Sequence, residues 1–490
     1  MNQGLLTLGR WLRDRARVTP GRVAIDERDE LTTYAELDER SERLAAGLLS
    51  SGLRRGDLVA TLTENSGEHV VVFFACAKAG LALVPFSWRL AAPELAYQLD
   101  DAAPAVFIVG PEHADLADES LAGATAPPRR LGFGELEAEG DVVDAVVDDD
   151  DTLLVVYTSG TTGRPKGARL THANCFWTNV GFDLATGVRG EDVVLQVLPQ
   201  FHCGGWNVQP LLAWWKGARV VLERSFDARR CLQLIERKGV TTMMGVPAIY
   251  QFMAQEPDFA EVDLSSLRTA VVGGAPMPEA LLARWQERGV AIVQGYGLTE
   301  AAPNVLCLPP EDAVRKTGWA GKPYPFVEVR LSPEGELQVR GPNVFPGYLG
   351  NPEATAAAFE DGWLRTGDVA EADDEGNYRI RGRLKDMYIS GGENVYPAEV
   401  EGVLHEHPSV ADVAVVGVPD ERWGESGVAF VVVATGTDVG GEELGDWCRQ
   451  RLARYKVPRE VRFVEELPRS AMNKVLKDEL AALLQQDPVT

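Results

Sequence analysis

The stretch DTLLVVYTSGTTGRPKGARLTH, residues 151–172, says most about both fold and chemistry. An apolar run typical of a buried β-strand ends at Tyr157, and a loop rich in glycine and hydroxyl residues follows it. Glycine lets backbone N–H groups approach phosphate oxygens, hydroxyl groups add donors, and Lys166 supplies a mobile cation. Because Pro165-Lys166-Gly167 cannot supply the Gly-Lys-Ser/Thr that opens a helix, this is not a Walker-type loop. The length and order of these residues predict a phosphate-binding loop of another kind rather than a flexible polar turn.

Helix–glycine–strand units flank this stretch on both sides. Leu37 to Leu49 has apolar residues at helical spacing and leads through Gly52 into the strand-like LVATLT. The same order recurs three times further on: Leu211–Trp215 before ARVVLE, Leu232–Lys238 before GVTTMMGV, and Glu279–Arg288 before GVAIVQGYG. This repetition is typical of α/β layers with largely parallel sheets. The apolar run from Val70 to Phe86 is too short to span a bilayer and predicts a buried helix followed by a strand.

The pattern changes after about Val327. The segments VEVRLS, GELQVRG and GNYRIRGR alternate apolar and polar residues, as antiparallel strands do, and predict a β-rich subdomain. Beyond residue 383 the order is a helix from Pro397 to His405, two strands, a helix from Glu442 to Ala453, and the strand EVRFVE. We therefore predict an α/β fold with a large N-terminal domain of layered sheets, residues 1–383, and a small α+β domain, residues 384–490.

Eight motifs in one order make the chain resemble the adenylate-forming superfamily, which includes acyl-CoA synthetases, firefly luciferase and nonribosomal-peptide adenylation domains. They are YTSGTTGRPKG, PQFH (199–202), GGAP (273–276), QGYGLTE (294–300), GELQVRGP, DGWLRTGD, GNYRIRGRLKDMYISGGENVYPAEVE and LPRSAMNK. Matches run from LTTY at residues 31–34 to Lys474, which is essentially the whole chain.

The resemblance implies ATP, Mg²⁺ and coenzyme A as cofactors and a two-step ligation. A carboxylate first attacks the α-phosphorus of ATP, giving acyl-AMP and pyrophosphate, and CoA then displaces AMP. The first step brings one anion to a polyanion, so it depends mainly on positioning and charge neutralisation. The residues implied to be catalytic are Lys474, Glu300, Thr158 and His202.

The nucleotide site follows residue by residue from the motifs. Residues 158–166 would hold the β- and γ-phosphates, Glu300 matches the Mg²⁺ ligand, and Thr299 would hydrogen-bond the α-phosphate. Asp368 matches the acceptor of both ribose hydroxyls and Arg383 a further ribose contact; a buried structural Asp–Arg pair is the alternative. The full set implied to bind ATP is Thr158, Ser159, Gly160, Thr161, Thr162, Gly163, Lys166, Gly274, Ala275, Pro276, Gln294, Gly295, Tyr296, Gly297, Thr299, Asp368, Arg383 and Lys474.

The C-terminal motifs imply a mobile domain that serves the two steps in turn. Lys474 would neutralise charge during adenylation, although Asn473 stands where the family usually has glycine. Asparagine tolerates left-handed backbone geometry better than most residues, so the turn can survive. Lys385 matches the hinge, and the residues implied to line the pantetheine tunnel are Gly391, Gly392 and Glu393.

Substrate choice depends on the acyl pocket. His202, with Phe201, matches a gate between this pocket and the pantetheine tunnel, with a packed core histidine as the alternative. The candidate lining residues are His202, Gly205, Trp206, Tyr250, Gly274, Gly297 and Val305. Since they include no acidic residue that could pair with an amino group, a neutral aryl or acyl acid is favoured over an amino acid. The FHCGGW stretch also resembles aryl- and hydroxycinnamoyl-CoA ligases such as feruloyl-CoA synthetases, so we expect an aromatic or medium-chain acid.

Composition limits the partners and the compartment. With 73 acidic and 48 basic residues the net charge is −25, which disfavours nucleic acid and anionic membranes as partners. The six scattered cysteines predict a reducing compartment, and the N-terminal segment predicts an amphipathic helix rather than a signal peptide. We therefore expect a cytoplasmic protein with a small carboxylic acid as partner and no stable membrane association, and a homodimer stays open.

Three other functions remain open from the sequence. The main one is a stand-alone adenylating enzyme that passes its acyl group to a carrier protein or partner enzyme. The second is a non-catalytic relative that only binds ligand, against which the retained Thr158–Lys166 segment, Glu300 and Lys474 argue. The third is luciferase-like oxidation, which nothing in the sequence separates from ligation.

Overall fold

The computed structural model describes residues 4–135, 145–158, 164–420, 422–469 and 475–486. The chain divides into two compact units. The first comprises Met1–Met277, Leu281–Val329 and Val339–Leu364, and the second comprises Pro278–Ala280, Arg330–Gln338 and Arg365–Thr490. The mixed α/β class with a large first unit and a smaller second one confirms the predicted fold class. The predicted boundary at residues 383/384 stays a prediction.

The helices and strands alternate along most of the chain. The helices are α1 (Leu8–Val18), α2 (Tyr34–Ser50), α3 (Gly67–Ala79), α4 (Ala92–Ala102), α5 (Ala114–Gly123), α6 (His172–Thr186), α7 (Gly204–Asn207), α8 (Pro210–Lys216), α9 (Ala228–Lys238), α10 (Pro247–Gln255), α11 (Glu279–Gln286), α12 (Pro352–Ala357), α13 (Pro397–His405), α14 (Gly441–Arg449) and α15 (Lys477–Gln486). The strands as far as residue 307 are β1 (Val23–Glu27), β2 (Glu30–Thr33), β3 (Leu58–Leu62), β4 (Ala82–Phe86), β5 (Val106–Val109), β6 (Arg129–Leu131), β7 (Thr152–Thr158), β8 (Lys166–Thr171), β9 (Val193–Gln196), β10 (Arg219–Leu222), β11 (Thr242–Gly245), β12 (Thr269–Val272), β13 (Ile292–Gly297) and β14 (Asn304–Cys307). The remaining strands are β15 (Lys322–Pro323), β16 (Glu328–Leu331), β17 (Glu336–Arg340), β18 (Gly347–Tyr348), β19 (Phe359–Glu360), β20 (Trp363–Ala372), β21 (Tyr378–Arg383), β22 (Tyr388–Ser390), β23 (Glu393–Val395), β24 (Val410–Asp420), β25 (Gly424–Val433) and β26 (Glu460–Phe463).

Two sheets form the framework of the first unit. One has the order β15-β14-β13-β12-β11-β9-β10-β1-β2 and is parallel from β13 through β1. The other has the order β18-β8-β7-β4-β3-β5-β6. The central strands of this second sheet are buried and rich in Val, Leu and Ala, as expected for a sheet covered by helices on both faces. The sequence prediction of a buried helix followed by a strand between Val70 and Phe86 is confirmed by α3 and β4.

The second unit ends in a small sheet of its own. Strands β24 and β25 form a long antiparallel pair, β22 and β23 extend the sheet on one side, and β26 runs parallel to β25. Helices α13 and α14 contribute Val400, Leu404 and Leu444 to the core on one face of this sheet. On the other face, Leu480 of α15 packs with residues of β24 and β25. The predicted α+β character of this segment is confirmed.

One predicted helix is shorter in the structure. The pattern from Glu442 to Ala453 predicts a helix to residue 453, whereas α14 ends at Arg449. The N–H groups of Arg451 and Leu452 both donate to the carbonyl of Cys448, so the chain tightens into a turn there. Leu452 and Tyr455 then pack against the core under β25, which brings the chain into line with β26. Tertiary packing overrides the helical pattern over this last turn.

Two observations bear on the environment of the protein. All six cysteines are buried free thiols. Within the described ranges, none of the helices combines the length and the apolar character that crossing a membrane requires.

Candidate active site

The hairpin of β7 and β8 brings two predicted phosphate-binding residues to one edge of a sheet. Thr158 is the last residue of β7, Lys166 is the first of β8, and the two are paired in the antiparallel register. The strand before Thr158 is buried from Leu153 to Tyr157, so the hairpin is anchored at its base. Thr158 and Lys166 therefore lie side by side at one sheet edge, where both can reach the same phosphate group.

Glu300 lies in a short 3₁₀ turn, Thr299–Ala301, beside this hairpin. Its Oε1 accepts a hydrogen bond of 2.8 Å from the Tyr348 hydroxyl and lies 3.5 Å from Thr158 Oγ1. The turn is held by Asn343, whose Nδ2 donates to the carbonyls of Ala301 and Asn304 at 2.9 Å each. The structure therefore brings together Thr158, Lys166 and Glu300, which the sequence had linked only through motifs.

The donor set around Glu300 fits a magnesium ion that is bound together with phosphate groups. Among the residues described here, no group of three His, Cys, Asp or Glu side chains could hold a metal ion by itself. Magnesium commonly takes one or two carboxylates and completes its shell with phosphate oxygens and water. One carboxylate beside the hydroxyl of Thr158 and the ammonium of Lys166 suits such a shared site.

Tyr348 supplies a neutral donor to this carboxylate. Burial, together with the charge and hydrogen bond of Glu300, raises the pKa of Tyr348 above its ordinary value. The hydroxyl therefore keeps its proton over the whole physiological pH range and donates to Glu300 throughout.

The candidate adenine-binding segments lie at the carboxyl ends of two neighbouring parallel strands. Val272, the last residue of β12, pairs with Gln294 of β13. The GGAP segment and the QGYG segment therefore lie side by side at one edge of the sheet. Gly274, Ala275 and Pro276 are exposed, and Tyr296 is half-buried. Gln294 is nearly buried, and its amide contacts the backbone of Met277 and Trp319 at 3.4 Å each. Ligands of open α/β sheets bind at this kind of edge.

Gly297 is required by the close approach of two backbone segments. A Cβ atom at this position would lie 1.8 Å from the carbonyl oxygen of Pro303. That oxygen accepts a hydrogen bond of 3.1 Å from the N–H of Leu298, so it cannot move away without breaking a backbone contact. The glycine thus fixes the course of the chain from β13 into the turn that carries Glu300.

We therefore expect Gly297→Ala to lower the free energy of unfolding by about 1–3 kcal/mol, because overpacking forces backbone shifts of this kind. Thermal denaturation monitored by circular dichroism measures the loss. Gly295→Ala is the matched control, since a Cβ there would meet no atom closer than 3.5 Å. Equal melting temperatures for the two variants would contradict the assigned contact.

The candidate acyl-pocket residues occupy different surroundings. His202 is half-buried, and its ring lies 4.6 Å from that of Phe201 between centroids. Trp206 is fully buried, stacks on Phe73 at 4.5 Å and donates its indole N–H to the carbonyl of Gln200 at 2.6 Å.

The other members of the set are also packed within the unit. Tyr250 and Val305 are fully buried, and the Tyr250 hydroxyl donates to the carbonyl of Val271 at 2.8 Å. A Cβ on Gly205 would lie 2.2 Å from the carbonyl oxygen of Pro199, so this glycine permits a close backbone approach. These contacts account for Trp206, Tyr250 and Gly205 as structural residues, and their place in an acyl pocket stays a prediction.

In the second unit, Asp368 and Arg383 form an ion pair. They are register partners across β20 and β21, and Arg383 Nε lies 2.8 Å from Asp368 Oδ1. The Asp368 side chain is 9% exposed, whereas that of Arg383 is 48% exposed. The structure thus brings the two predicted ribose-binding residues together, and their role toward ribose stays a prediction.

The hinge and tunnel candidates also lie in the second unit. Lys385 is exposed in a 3₁₀ turn, Leu384–Asp386, that follows β21 directly. Gly391 and Gly392 have φ angles of +62° and +86° in the tight turn between β22 and β23, and Glu393 is exposed. The Gly391 N–H donates to the carbonyl of Trp423 at 2.7 Å, and a Cβ there would meet the Trp423 indole at 2.7 Å. A side chain at this turn would therefore be both strained and obstructed.

Several predicted residues lie outside the described part of the chain: Ser159, Gly160, Thr161, Thr162, Gly163, Asn473 and Lys474. Both flanks of the segment with Lys474 are held in place. Arg469 forms an antiparallel bridge with Val475 and an ion pair with Asp412, and Lys477 pairs with Glu401 at 2.7 Å.

Sequence reasoning missed Tyr348 and Asn343. Neither belongs to the set inferred from the motifs, although both lie within the chain that follows GELQVRG. Tyr348 reaches Glu300 because β18 pairs with β8, with Tyr348 opposite Ala168. A two-residue strand that pairs across about 180 residues leaves no periodic signal in the sequence, so only the folded structure identifies it.

Comparison with known proteins is consistent with this geometry. The family model described as "AMP-binding enzyme" matches residues 12–349, and the one described as "AMP-binding enzyme C-terminal domain" matches residues 399–474. A feruloyl-CoA synthase from Amycolatopsis sp is 45% identical over 490 residues, which cover 98% of this chain and 99% of the relative. An indoleacetate–CoA ligase from Aromatoleum aromaticum is 41% identical over 501 residues, covering 98% of each chain. Among solved structures, an O-succinylbenzoate coenzyme A synthetase from Bacillus subtilis in complex with ATP and magnesium ion is 34% identical, with a TM-score of 0.89 and coverage of 96% of this chain and 99% of that one.

Proposed function

The chain belongs to the AMP-binding enzyme family, and from this membership we propose that it is an ATP-dependent carboxylic acid–CoA ligase. The reaction has two steps. A carboxylate oxygen attacks the α-phosphorus of ATP and expels pyrophosphate, and the thiol of CoA then attacks the acyl carbon and expels AMP. The observation that carries the proposal is the meeting of Thr158, Lys166 and Glu300 at the end of the β7–β8 hairpin.

This cluster suits the first step because the reactants repel each other. A carboxylate must approach a triphosphate that carries several negative charges, and pyrophosphate leaves with more charge than it had when bridged. Lys166 would neutralise the β- and γ-phosphates, and the hydroxyl of Thr158 would donate to their oxygens. When bound, Mg²⁺ shields the phosphate charge, and Glu300 would hold it there. The segment 159–163 would add backbone N–H groups.

The remaining contacts orient the nucleotide and the acyl group. Asp368 would accept the ribose hydroxyls, and its ion pair with Arg383 orients the carboxylate. Tyr296 would stack on the adenine ring, and Thr299 would donate to the α-phosphate. Lys474 would neutralise the charge that develops between the carboxylate and the α-phosphorus, and His202 would gate the path of the thiol.

We further propose an aromatic or medium-chain acid as substrate. The relatives named for feruloyl-CoA and indoleacetate both act on acids that contain an aromatic ring. The candidate pocket residues are mostly apolar or small, and none is an acid that could pair with an amino group. CoA is the favoured acceptor because the relatives matched over nearly the whole chain are named as a CoA synthase and a CoA ligase. We place the protein in the cytoplasm, since its six buried thiols suit a reducing compartment.

A panel of acids tests this proposal. We expect AMP release to depend on both acid and CoA, with ferulate, indoleacetate, benzoate and octanoate compared against phenylalanine as the control acid. Phenylalanine should give no release above background because its ammonium group would lie unpaired. Acid-dependent pyrophosphate exchange without CoA-dependent AMP release would instead favour transfer to a carrier protein. Absence of both activities for every acid would contradict the proposed ligase.

A further inference from the structure

Lys166 and Glu300 both contact the side chain of Tyr348. Lys166 Nζ lies 5.4 Å from the centroid of the Tyr348 ring, and the hydroxyl of the same ring donates to Glu300 Oε1. In the described ranges, neither Lys166 nor Glu300 has an ion-pair partner, even though the chain has 25 more acidic than basic residues. Both charged groups thus contact one tyrosine without forming a salt bridge to each other. The Lys166 ammonium lies over the face of the ring, and the Glu300 carboxylate lies at its hydroxyl.

The ring of Tyr348 is held rigidly from three directions. Its backbone pairs with β8 at Ala168, its N–H donates to Thr355 Oγ1 at 2.9 Å, and its ring contacts Phe345 edge-on at 4.9 Å. The N–H of Phe345 in turn donates to the carbonyl of Glu300 at 2.8 Å. The same short segment thus fixes both the backbone of Glu300 and the orientation of its carboxylate.

This geometry has a consequence for nucleotide binding. A direct Lys166–Glu300 salt bridge would have to be broken each time the triphosphate and its metal arrive, because both charges are needed for the ligand. Preorganised charges that are not paired with each other avoid this cost. The hydroxyl hydrogen bond also leaves the second carboxylate oxygen of Glu300 without a donor from Tyr348, so it remains available to a cation.

We propose that Tyr348 is a positioning residue that holds Glu300 in the orientation of a magnesium ligand and keeps Lys166 from pairing with it. The inference rests on the proposed function, since it assumes that Glu300 and Lys166 bind magnesium and phosphate. It assigns to Tyr348 no contact with the substrate. Its effect is on the magnesium-bound nucleotide and not on the acid or on CoA.

The decisive experiment is calorimetric titration of the full chain with ATP, in the presence of Mg²⁺ and in the presence of EDTA. Tyr348→Phe removes only the hydroxyl and keeps the ring below Lys166. We expect it to weaken binding of MgATP at least about fivefold, as the loss of a hydrogen bond to a charged group does, and to leave binding of metal-free ATP within about twofold. Tyr348→Leu also removes the ring and lets Lys166 pair with Glu300. It should therefore weaken the binding of both MgATP and metal-free ATP.

Tyr157→Phe is the matched control. Tyr157 lies on strand β7 of the same sheet, and its hydroxyl also donates to a carboxylate, Asp101, at 2.7 Å. This carboxylate belongs to no part of the candidate site. The control should leave the ratio of MgATP to ATP affinity unchanged, whatever its effect on stability. A ratio that stays unchanged in Tyr348→Phe, whether neither affinity falls or both fall equally, would overturn the positioning role. The wild type is titrated first, so failure of the wild type to bind MgATP would contradict the proposed function itself.

Discussion

Replacing Lys474 with alanine is expected to lower the rate of acyl-adenylate formation by about 10²–10³-fold, as the loss of one preorganised charge at a developing anion does. The lysine would stabilise the transition state in which negative charge is shared between the attacking carboxylate and the α-phosphate. The second step needs no such cation, because the adenylate is already formed. Thioester formation from a supplied acyl-adenylate should therefore stay within a few-fold of the wild-type rate. Acid-dependent pyrophosphate exchange measures the first step, and conversion of the adenylate with CoA measures the second.

Lys456→Ala serves as the control for this variant. Lys456 lies in the same C-terminal segment and forms an ion pair with Glu399 at 2.7 Å, so its removal also deletes one positive charge. It should leave both steps near the wild-type rate. Adenylation in Lys474→Ala that stays within a few-fold of the control would show that the motif match at Lys474 does not carry the catalytic role.

Replacing Lys385 with proline is expected to impair the second step, thioester formation, and to spare the first step, adenylation. Lys385 is exposed in the turn after β21, so the substitution costs little packing. Proline fixes φ near −65° and restricts the residue before it, which removes the torsional freedom that a hinge needs. Adenylation should stay within a few-fold of wild type, while thioester formation from the adenylate should fall by at least about 100-fold if the domain must rotate to admit the thiol.

Lys385→Ala is the control that distinguishes the effect of restricting the backbone from the effect of losing the charge. It deletes the ammonium group but keeps the backbone free, so both steps should proceed close to the wild-type rate. Equal losses in the alanine and proline variants would mean that the side chain, and not the hinge, matters at this position. Retention of full thioester formation in the proline variant would remove Lys385 as the hinge.

Motif order and hydrophobic pattern were sufficient to predict the fold class and which of the candidate site residues lie beside one another. The run ending at Tyr157 and the glycine-rich segment after it predicted the strand and the loop start, and β7 and β8 place Thr158 and Lys166 as partners. The pairing of Asp368 with Arg383 also agrees, since both motifs fall on adjacent antiparallel strands. Local patterns succeed here because Thr158, Lys166 and Arg383 lie at the ends of strands, and Asp368 lies within a strand, that the alternation or apolar run around them predicts.

Contacts between distant segments could not be predicted in this way. Tyr348 meets Glu300 through a two-residue strand, and Asn343 holds the Glu300 turn from a loop without a regular pattern. The end of α14 at Arg449 depends on the packing of Leu452 and Tyr455 against the core. Most of the residues that form this core are distant in sequence, so the local pattern does not reveal the packing. The fully buried Trp206 and Tyr250 show the same limit, since a motif position does not reveal how far a side chain is enclosed.

The central claim is that one chain forms an acyl-adenylate and then passes the acyl group to CoA. A single-turnover experiment tests it most directly, with enzyme in excess over ATP and an acid that is active in the panel. Without CoA, we predict that acyl-AMP and pyrophosphate accumulate in equal amounts on the enzyme. On addition of CoA, acyl-CoA and AMP should appear in equal amounts as the adenylate disappears. Release of AMP without acyl-CoA, or an adenylate that persists in the presence of CoA, would contradict the account.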